Sequence, residues 1–315
     1  MSKKVVYFIC NNKGINGHVS KDVLEVLKKK NLEETDIVFD GYKVLKYIDS
    51  NKNTFYFAET NQPICYCYNE LLDDMNKYFS DSDMSGMVTW HEGASAPPNV
   101  LTVHSLGDVN EGIYGPTNVR CMHNLLYAYE INMIKYGLDD YSVVTEATHW
   151  SGCYDDSKKA KLLVKFPVPM VDIEIGSDPS SWENETAVNA LTDTLFEVFN
   201  DDDMKIHNIL CVGGMHFDPD FAKAVFTTWN DGKDTFGVTH IIANQWLVTG
   251  DYTGDHGVEY MDNAIKAIGD VEAITYHDNT KGCYKDVIRA LGTKYNIPVF
   301  KHQKLRKPEE LELKK

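Results

Sequence analysis

VVTEATHW, residues 143–150, starts as a buried strand and then places Glu146 and His149 three positions apart, where the strand should end. An apolar run that stops at a carboxylate and an imidazole is a frequent home for catalytic groups. It is equally where an ordinary strand meets water, so the meaning of the stretch depends on what surrounds it.

Similar runs recur along the whole chain: VVYFI at 5–9, FYFA at 55–58, MVTW at 87–90, LTVH at 101–104 and YSVVTE at 141–146. MVDIEIG at 170–176, NILCVGG at 208–214, HIIA at 240–243 and EAITYH at 272–277 continue the series. Most are rich in β-branched or aromatic residues and bounded by Gly, Asp, Asn or Pro, as strands are. Helical spacing of apolar residues appears between them, over 119–136 and 186–199, with a further helix at about 283–294. The segment DPDFAKAVFTTW at 218–229 opens with Asp at the cap position and Pro at the first helical position. Strands alternating with helices imply an α/β fold, three-layered α/β/α, with a largely parallel mixed sheet covered on both faces. Irregular stretches at 80–86 (SDSDMSG) and 91–99 (HEGASAPPN) suggest a division into an N-terminal α/β lobe, 1–84, continuous with the main sheet, and a main domain, 85–315, carrying the site.

Composition narrows the function. With 31 Lys and Arg against 47 Asp and Glu, the net charge of -16 argues against broad contact with DNA or an anionic membrane. No apolar stretch has the roughly 18 residues of a spanning helix, and MSKKVVYFIC lacks a signal-peptide core, so a cytoplasmic protein is expected. Seven cysteines, an odd number, give no disulfide framework, and the lone pair Cys65 and Cys67 is expected to be ordinary strand residues.

Ligands of α/β folds bind beyond the carboxyl ends of strands. His91 follows MVTW, His104 ends LTVH, Glu146 and His149 follow YSVV, and His216 follows CVGG. Imidazoles with a carboxylate are the ligand set of a catalytic Zn2+ ion. Without metal, the same groups serve as general bases. Each histidine alone also has a structural explanation as a hydrogen-bonded strand end. Glu174 stands inside an apolar strand with Asp172 on the same face, and a buried carboxylate needs a metal, a base or a substrate amine to compensate it. Gly213 and Gly214 would let backbone approach a ligand, with the helix after Asp218 facing an anion, or would simply form a tight turn.

LTVHSLGD at 101–108, TEATHWSG at 145–152, VDIEIGSDPSSW at 171–182, VGGMHFDPDF at 212–221, VTHIIANQW at 238–246 and HDNTKG at 277–282 occur in a recognisable order. In that order they resemble the archaeal and plant-type D-aminoacyl-tRNA deacylases, over about 85–296 and more loosely over VVYFICNNKGINGHVSKDVLEVL. The resemblance implies a fold related to phosphorylase and peptidyl-tRNA hydrolase, zinc dependence, and hydrolysis of the ester between a D-amino acid and the 3′ end of tRNA. It selects His104, Glu146, His149, Glu174, His216 and His240, with Lys281 as a further contact, and it places a family histidine at His91. Under it His149, His216, His104 and Glu146 are catalytic, with His149, His216 and Glu146 as metal ligands. Glu174 receives the substrate ammonium and His91, His240 and Lys281 line the substrate, a lining to which the residues' own chemistry adds Trp150, Gly213 and Gly214.

The chain also departs from the family pattern. Trp150, Ser151 and Gly152 replace the family's His, Gly and Pro after His149, and Glu92 and Asp218 add carboxylates. Trp150 would narrow the pocket or offer a stacking face. These changes keep two alternatives open: a hydrolase acting on a small aminoacyl substrate without tRNA, or a catalytically silent relative that binds a nucleotide or amino acid.

Overall fold

Strand Lys4–Cys10 is buried from Val5 onward because both its faces are covered. Val5, Tyr7 and Ile9 belong to one apolar cluster, while Val6 and Phe8 belong to another on the opposite side. Period-two alternation thus sends successive side chains into two separate layers. The computed structural model describes residues 2–12, 18–93, 96–153, 159–200 and 203–314. Residues 13–17 of the N-terminal similarity and 94–95 of the HEGASAPPN loop lie outside the described residues.

Eight strands form the larger sheet. From one edge these are Glu33–Phe39, Tyr42–Ile48, Thr54–Thr60, Lys4–Cys10, Met84–Glu92, Met170–Ser177, Asn99–Ser105 and Ser142–Thr145. Its centre is parallel, with Asn99–Ser105 running antiparallel to Met170–Ser177. A second sheet of five strands is ordered Thr228–Trp229, Asp234–Ile242, Lys205–Val212, Ala273–Tyr276 and Val299–Lys301, parallel except at Thr228–Trp229. The chain is therefore α/β with mixed, mostly parallel strands in two main sheets, and a two-stranded ribbon pairs Gly107–Asp108 with Ile113–Tyr114.

The segment opened by VVTEATHW joins those sheets. Strand Ser142–Thr145 stops at Thr145, and Glu146 to His149 continue without regular structure. Ala147 N–H donates to His216 O (2.9 Å) and Thr148 N–H to Ile241 O (3.0 Å), both in or beside the smaller sheet. Gly107 N–H donates back to His149 O at 3.3 Å. Three backbone bonds thus make this segment a seam tied on both sides.

Helix Val119–Lys135 matches its periodicity, and Glu185–Thr194 stops short of 199 by passing into a 3-10 turn at Leu195–Glu197. Helix Pro219–Phe226 ends before 229 because Thr228–Trp229 pairs with Asp234–Thr235. Cys65 and Cys67 are not strand residues: they lie on helix Ile64–Phe79. The run ICYCY has strand-like chemistry. Its burial, however, falls on Ile64, Cys65, Tyr68, Leu71, Leu72, Met75 and Phe79, a helical face that tertiary packing favours over local propensity. None of the helices among the described residues is long and apolar enough to cross a membrane.

Candidate active site

Strand Met170–Ser177 lies between a parallel and an antiparallel neighbour, and its register assembles the site. Asp172 is opposite Met87 and His104, Glu174 is opposite Thr89 and Thr102, and Gly176 is opposite His91. Asp172, Glu174, Thr102 and His104 therefore share one face of the sheet. The seam brings Glu146 and His149 onto that face, and the loop after strand Lys205–Val212 adds His216 from the other sheet.

Glu146 is the hub. Its Oε2 lies 2.8 Å from His216 Nε2 and 3.7 Å from His91 Nε2. Its Oε1 lies 3.6 Å from His104 Nε2 and accepts from Thr102 Oγ1 at 3.4 Å. His104 stacks on His149 with ring centroids 4.1 Å apart, and His149 lies 4.9 Å from His216. His104 Nε2 is also 3.4 Å from Asp172 Oδ2.

Hydrogen bonds at the far side of three rings define their tautomers. His149 Nδ1 donates to Ala147 O (2.9 Å) and His104 Nδ1 to Ser105 O (3.2 Å). Ser177 Oγ gives its own proton to Pro97 O, so it accepts from His91 Nδ1 at 3.1 Å. All three rings therefore turn an unprotonated Nε2 inward. This is the arrangement in which metal-binding imidazoles are usually held. Consistently, His104 Nε2, both Asp172 oxygens and Glu174 Oε2 are buried without a hydrogen-bond partner among the described residues.

Burial dominates the electrostatics. It pushes Glu146 and Asp172 above the ordinary carboxylate range, and Glu174 too, aided by Glu146 beside it. It lowers His149 to about 3 and both His91 and His216 to about 4, with His216 adding to the fall at His149 and His91. His104 falls as well, from burial first and the neighbouring His149 second. Lone pairs aimed at buried carboxylates repel unless a cation or proton lies between them. Two sets, His91 with Glu146 and His216, and His104 with Glu146 and His149, bring one donor atom from each residue within 4.8 Å. His104, Asp172 and Glu174 form a third such set, so this donor chemistry fits a divalent metal.

The nest opens into a cleft of about 470 Å3, whose lining includes His91, His149, Glu174 and His216 together with Met87, Trp90, Tyr66 and Phe217. Other candidates lie elsewhere. Trp150 is 2% exposed and packs edge-on against Tyr68, 5.2 Å between centroids, lining not this cleft but a second cavity on the other side of His149. His240 is fully buried, with Nε2 donating to Gly115 O and Nδ1 accepting from Thr148 Oγ1, each at 3.0 Å. Lys281 is exposed at the start of helix Gly282–Tyr295. Gly213 and Gly214 form a turn at φ 91° and 74°, where a Cβ would come within 2.1 Å of Thr280 Oγ1 or Asp218 Oδ2. Asp218 itself caps the following helix, accepting from the Asp220 and Phe221 amides, so the helix start already has its anion. Of the added carboxylates, only Glu92 lines the cleft. Another cation-sized group, Asp220, His277 and His302, is compensated by Arg306, which donates to both Asp220 oxygens.

Sequence reasoning passed over Trp246, whose ring lies 6.1 Å from His149 and 5.5 Å from His216. It also missed Ser177 and Thr102 as orienting groups. Trp246 ends the VTHIIANQW motif, so position alone could have flagged it.

Imidazoles and carboxylates gathered beneath a cleft of an α/β fold are groups able to do acid-base or metal-assisted chemistry. The model of the D-aminoacyl-tRNA deacylase family matches residues 78–300, and the chain belongs to that family. A D-aminoacyl-tRNA deacylase of Pyrococcus abyssi is 25% identical over 202 residues, covering 63% of this chain and 68% of that protein. One from Saccharolobus islandicus is 27% identical over 193 residues, covering 60% and 73%. The crystal structure of the conserved protein of unknown function AF0625 superposes with a TM-score of 0.75 at 18% identity, over 100% of this chain and 99% of that one, and shows the same fold.

Proposed function

We propose that this protein hydrolyses the ester between a D-amino acid and the 3′ end of tRNA, using the nest centred on Glu146. The observation that carries the reading is the set of inward, unprotonated Nε2 atoms around a buried carboxylate at the floor of a cleft, in a chain of this family. His149, which lines the cleft and has its Nε2 unprotonated, takes a proton from attacking water, with the hydrogen-bonded pair Glu146 and His216 beside it. His104 stacks against His149 and holds its ring in place. Glu174, whose Oε2 lacks a partner, receives the substrate's ammonium group. The apolar lining from Met87, Trp90, Tyr66 and Phe217 accepts the amino acid side chain. Zinc, if bound, would be held by Glu146 with either His91 and His216 or His104 and His149, groupings that divide the expected trio of His149, His216 and Glu146, and would supply Lewis acidity for water activation and carbonyl polarisation.

A second reading is favoured by the cleft's charge: its lining includes Glu92 and Glu174 and no lysine or arginine among the described residues. Under it the enzyme cleaves small aminoacyl esters, without gripping the tRNA backbone. Release of tyrosine from matched D- and L-tyrosyl-tRNA, with and without added zinc and alongside His149→Ala, tests both. Fast D-selective release that weakens steeply with salt supports the tRNA reading. Release only from small esters supports the second.

A further inference from the structure

His149 lies in a partition. On one side is the cleft, and on the other a cavity of about 320 Å3 whose lining includes His149, Asp108, Asn110, Glu111, Trp150 and Trp246. Of the nest residues only His149 lines both. An enzyme that cleaves an ester must seat two fragments, acyl and alcohol, on either side of the carbonyl under attack. The cleft has the features of the acyl seat, with apolar rings and the unpartnered Glu174 oxygen.

The second cavity has different chemistry. Trp246 is half-buried on the short helix Asn244–Thr249, its ring within 16° of parallel to that of His149. Asp108, 8% exposed, and the exposed Asn110 and Glu111 supply acceptors for hydroxyl or amino hydrogens. No lysine or arginine lines this cavity among the described residues, so nothing there favours a phosphate. A flat aromatic beside neutral and acidic acceptors suits an uncharged nucleoside, its base against the indole and its ribose hydroxyls toward Asp108.

Resting on the hydrolase reading above, we propose that this cavity seats the terminal adenosine of the substrate and that Trp246 sets the preference for a nucleoside leaving group. The ester C–O bond that breaks then lies beside His149: water adds to the carbonyl, the ribose oxygen leaves with a proton, and amino acid and adenosine depart on opposite sides.

The test compares two esters with the same acyl group, 3′-O-(D-tyrosyl)adenosine and D-tyrosine ethyl ester. Wild-type protein is expected to prefer the adenosine ester, and Trp246→Ala to lower the ratio of the two kcat/KM values by about tenfold, the effect of removing one stacking face. Trp246→Phe is expected to restore most of the preference, and free adenosine to inhibit wild type competitively. A ratio unchanged in Trp246→Ala overturns the inference while leaving the hydrolase reading intact. Hydrolysis of neither ester nor of D-tyrosyl-tRNA by wild type overturns the hydrolase reading. Equilibrium dialysis with adenosine probes the same seat without turnover: weaker binding by Trp246→Ala is expected, and binding equal to that of wild type overturns the assignment. If Trp246→Ala does not fold, Asp108→Asn stands in for it, with weaker adenosine binding expected and unchanged binding overturning the inference.

Discussion

His104 and His240 are both fully buried on strands flanking the same seam, yet they live in opposite chemical circumstances. His240 has each nitrogen matched, one to a carbonyl and one to a hydroxyl, and burial lowers it to about 4 without leaving anything unpaired. His104 has one nitrogen matched and the other facing Glu146 and Asp172 with no hydrogen bond. Burial is common to both, so it does not mark a working site. The distinguishing property is unmet demand: polar atoms held out of water without partners persist where something else is meant to complete them.

That contrast is best broken at its extremes. His149→Ala should lower ester hydrolysis by about 10²–10⁴-fold, the usual range for a lost acid-base group, with the melting curve largely unchanged. A loss under tenfold would remove His149 from the chemistry. Next comes Glu146→Gln, read as stability against pH in EDTA-treated protein. Burial holds the Glu146, Glu174 and Asp172 carboxyls protonated to higher pH than in the unfolded chain. The unfolded chain therefore releases protons first, and stability falls as pH rises from about 4.5, where free carboxylates ionise, through about 8 for Glu146. The lowered histidines act the other way, costing stability as pH drops below about 6.5. Wild-type Tm should thus peak near pH 6, and its alkaline decline should shrink in Glu146→Gln by the equivalent of about 1–4 kcal/mol. An identical decline in both proteins would deny the carboxyl a buried, protonated state.

His240→Ala should show the reverse profile. Losing two satisfied hydrogen bonds and leaving a gap should destabilise the fold by about 1–3 kcal/mol in urea, with kcat/KM within about threefold of wild type. A collapse of activity at preserved stability would move His240 into the site. Smallest is Gly214→Ala, where a positive φ and the crowding of Asp218 Oδ2 should cost about 1–2 kcal/mol. A neutral result would mean that the turn relaxes freely.

Much of this was legible in the residues. The strands announced themselves through β-branched runs between turn formers. Glu174 could be read as buried because it interrupts MVDIEIG, and the histidines because each follows such a run. The division into two sheets was not legible, since strand composition carries no record of which neighbour each strand chooses. The hairpin Glu33–Ile48 escaped notice because it sits at the edge of its sheet, with Glu33–Phe39 outermost and both strands polar and half-exposed. Helix Ile64–Phe79 hid behind aromatic and cysteine residues that fit a pleat equally well. Trp150 was legible only in part. Adjacency to His149 in the chain suggested a pocket wall, and the side chain both packs with Tyr68 in the core and lines the cavity behind His149, although not the cleft in front of it.

The seam itself carries a last consequence. Glu146 is delivered by one sheet and His216 by the other, and the bonds from Ala147 and Thr148, with an apolar cluster shared by both sheets, hold those halves together. Each sheet can acquire its secondary structure while the nest is still in two pieces. In a refolding experiment, circular dichroism should recover first and turnover afterwards, so the return of catalysis is a clock for the moment at which the two sheets close on each other.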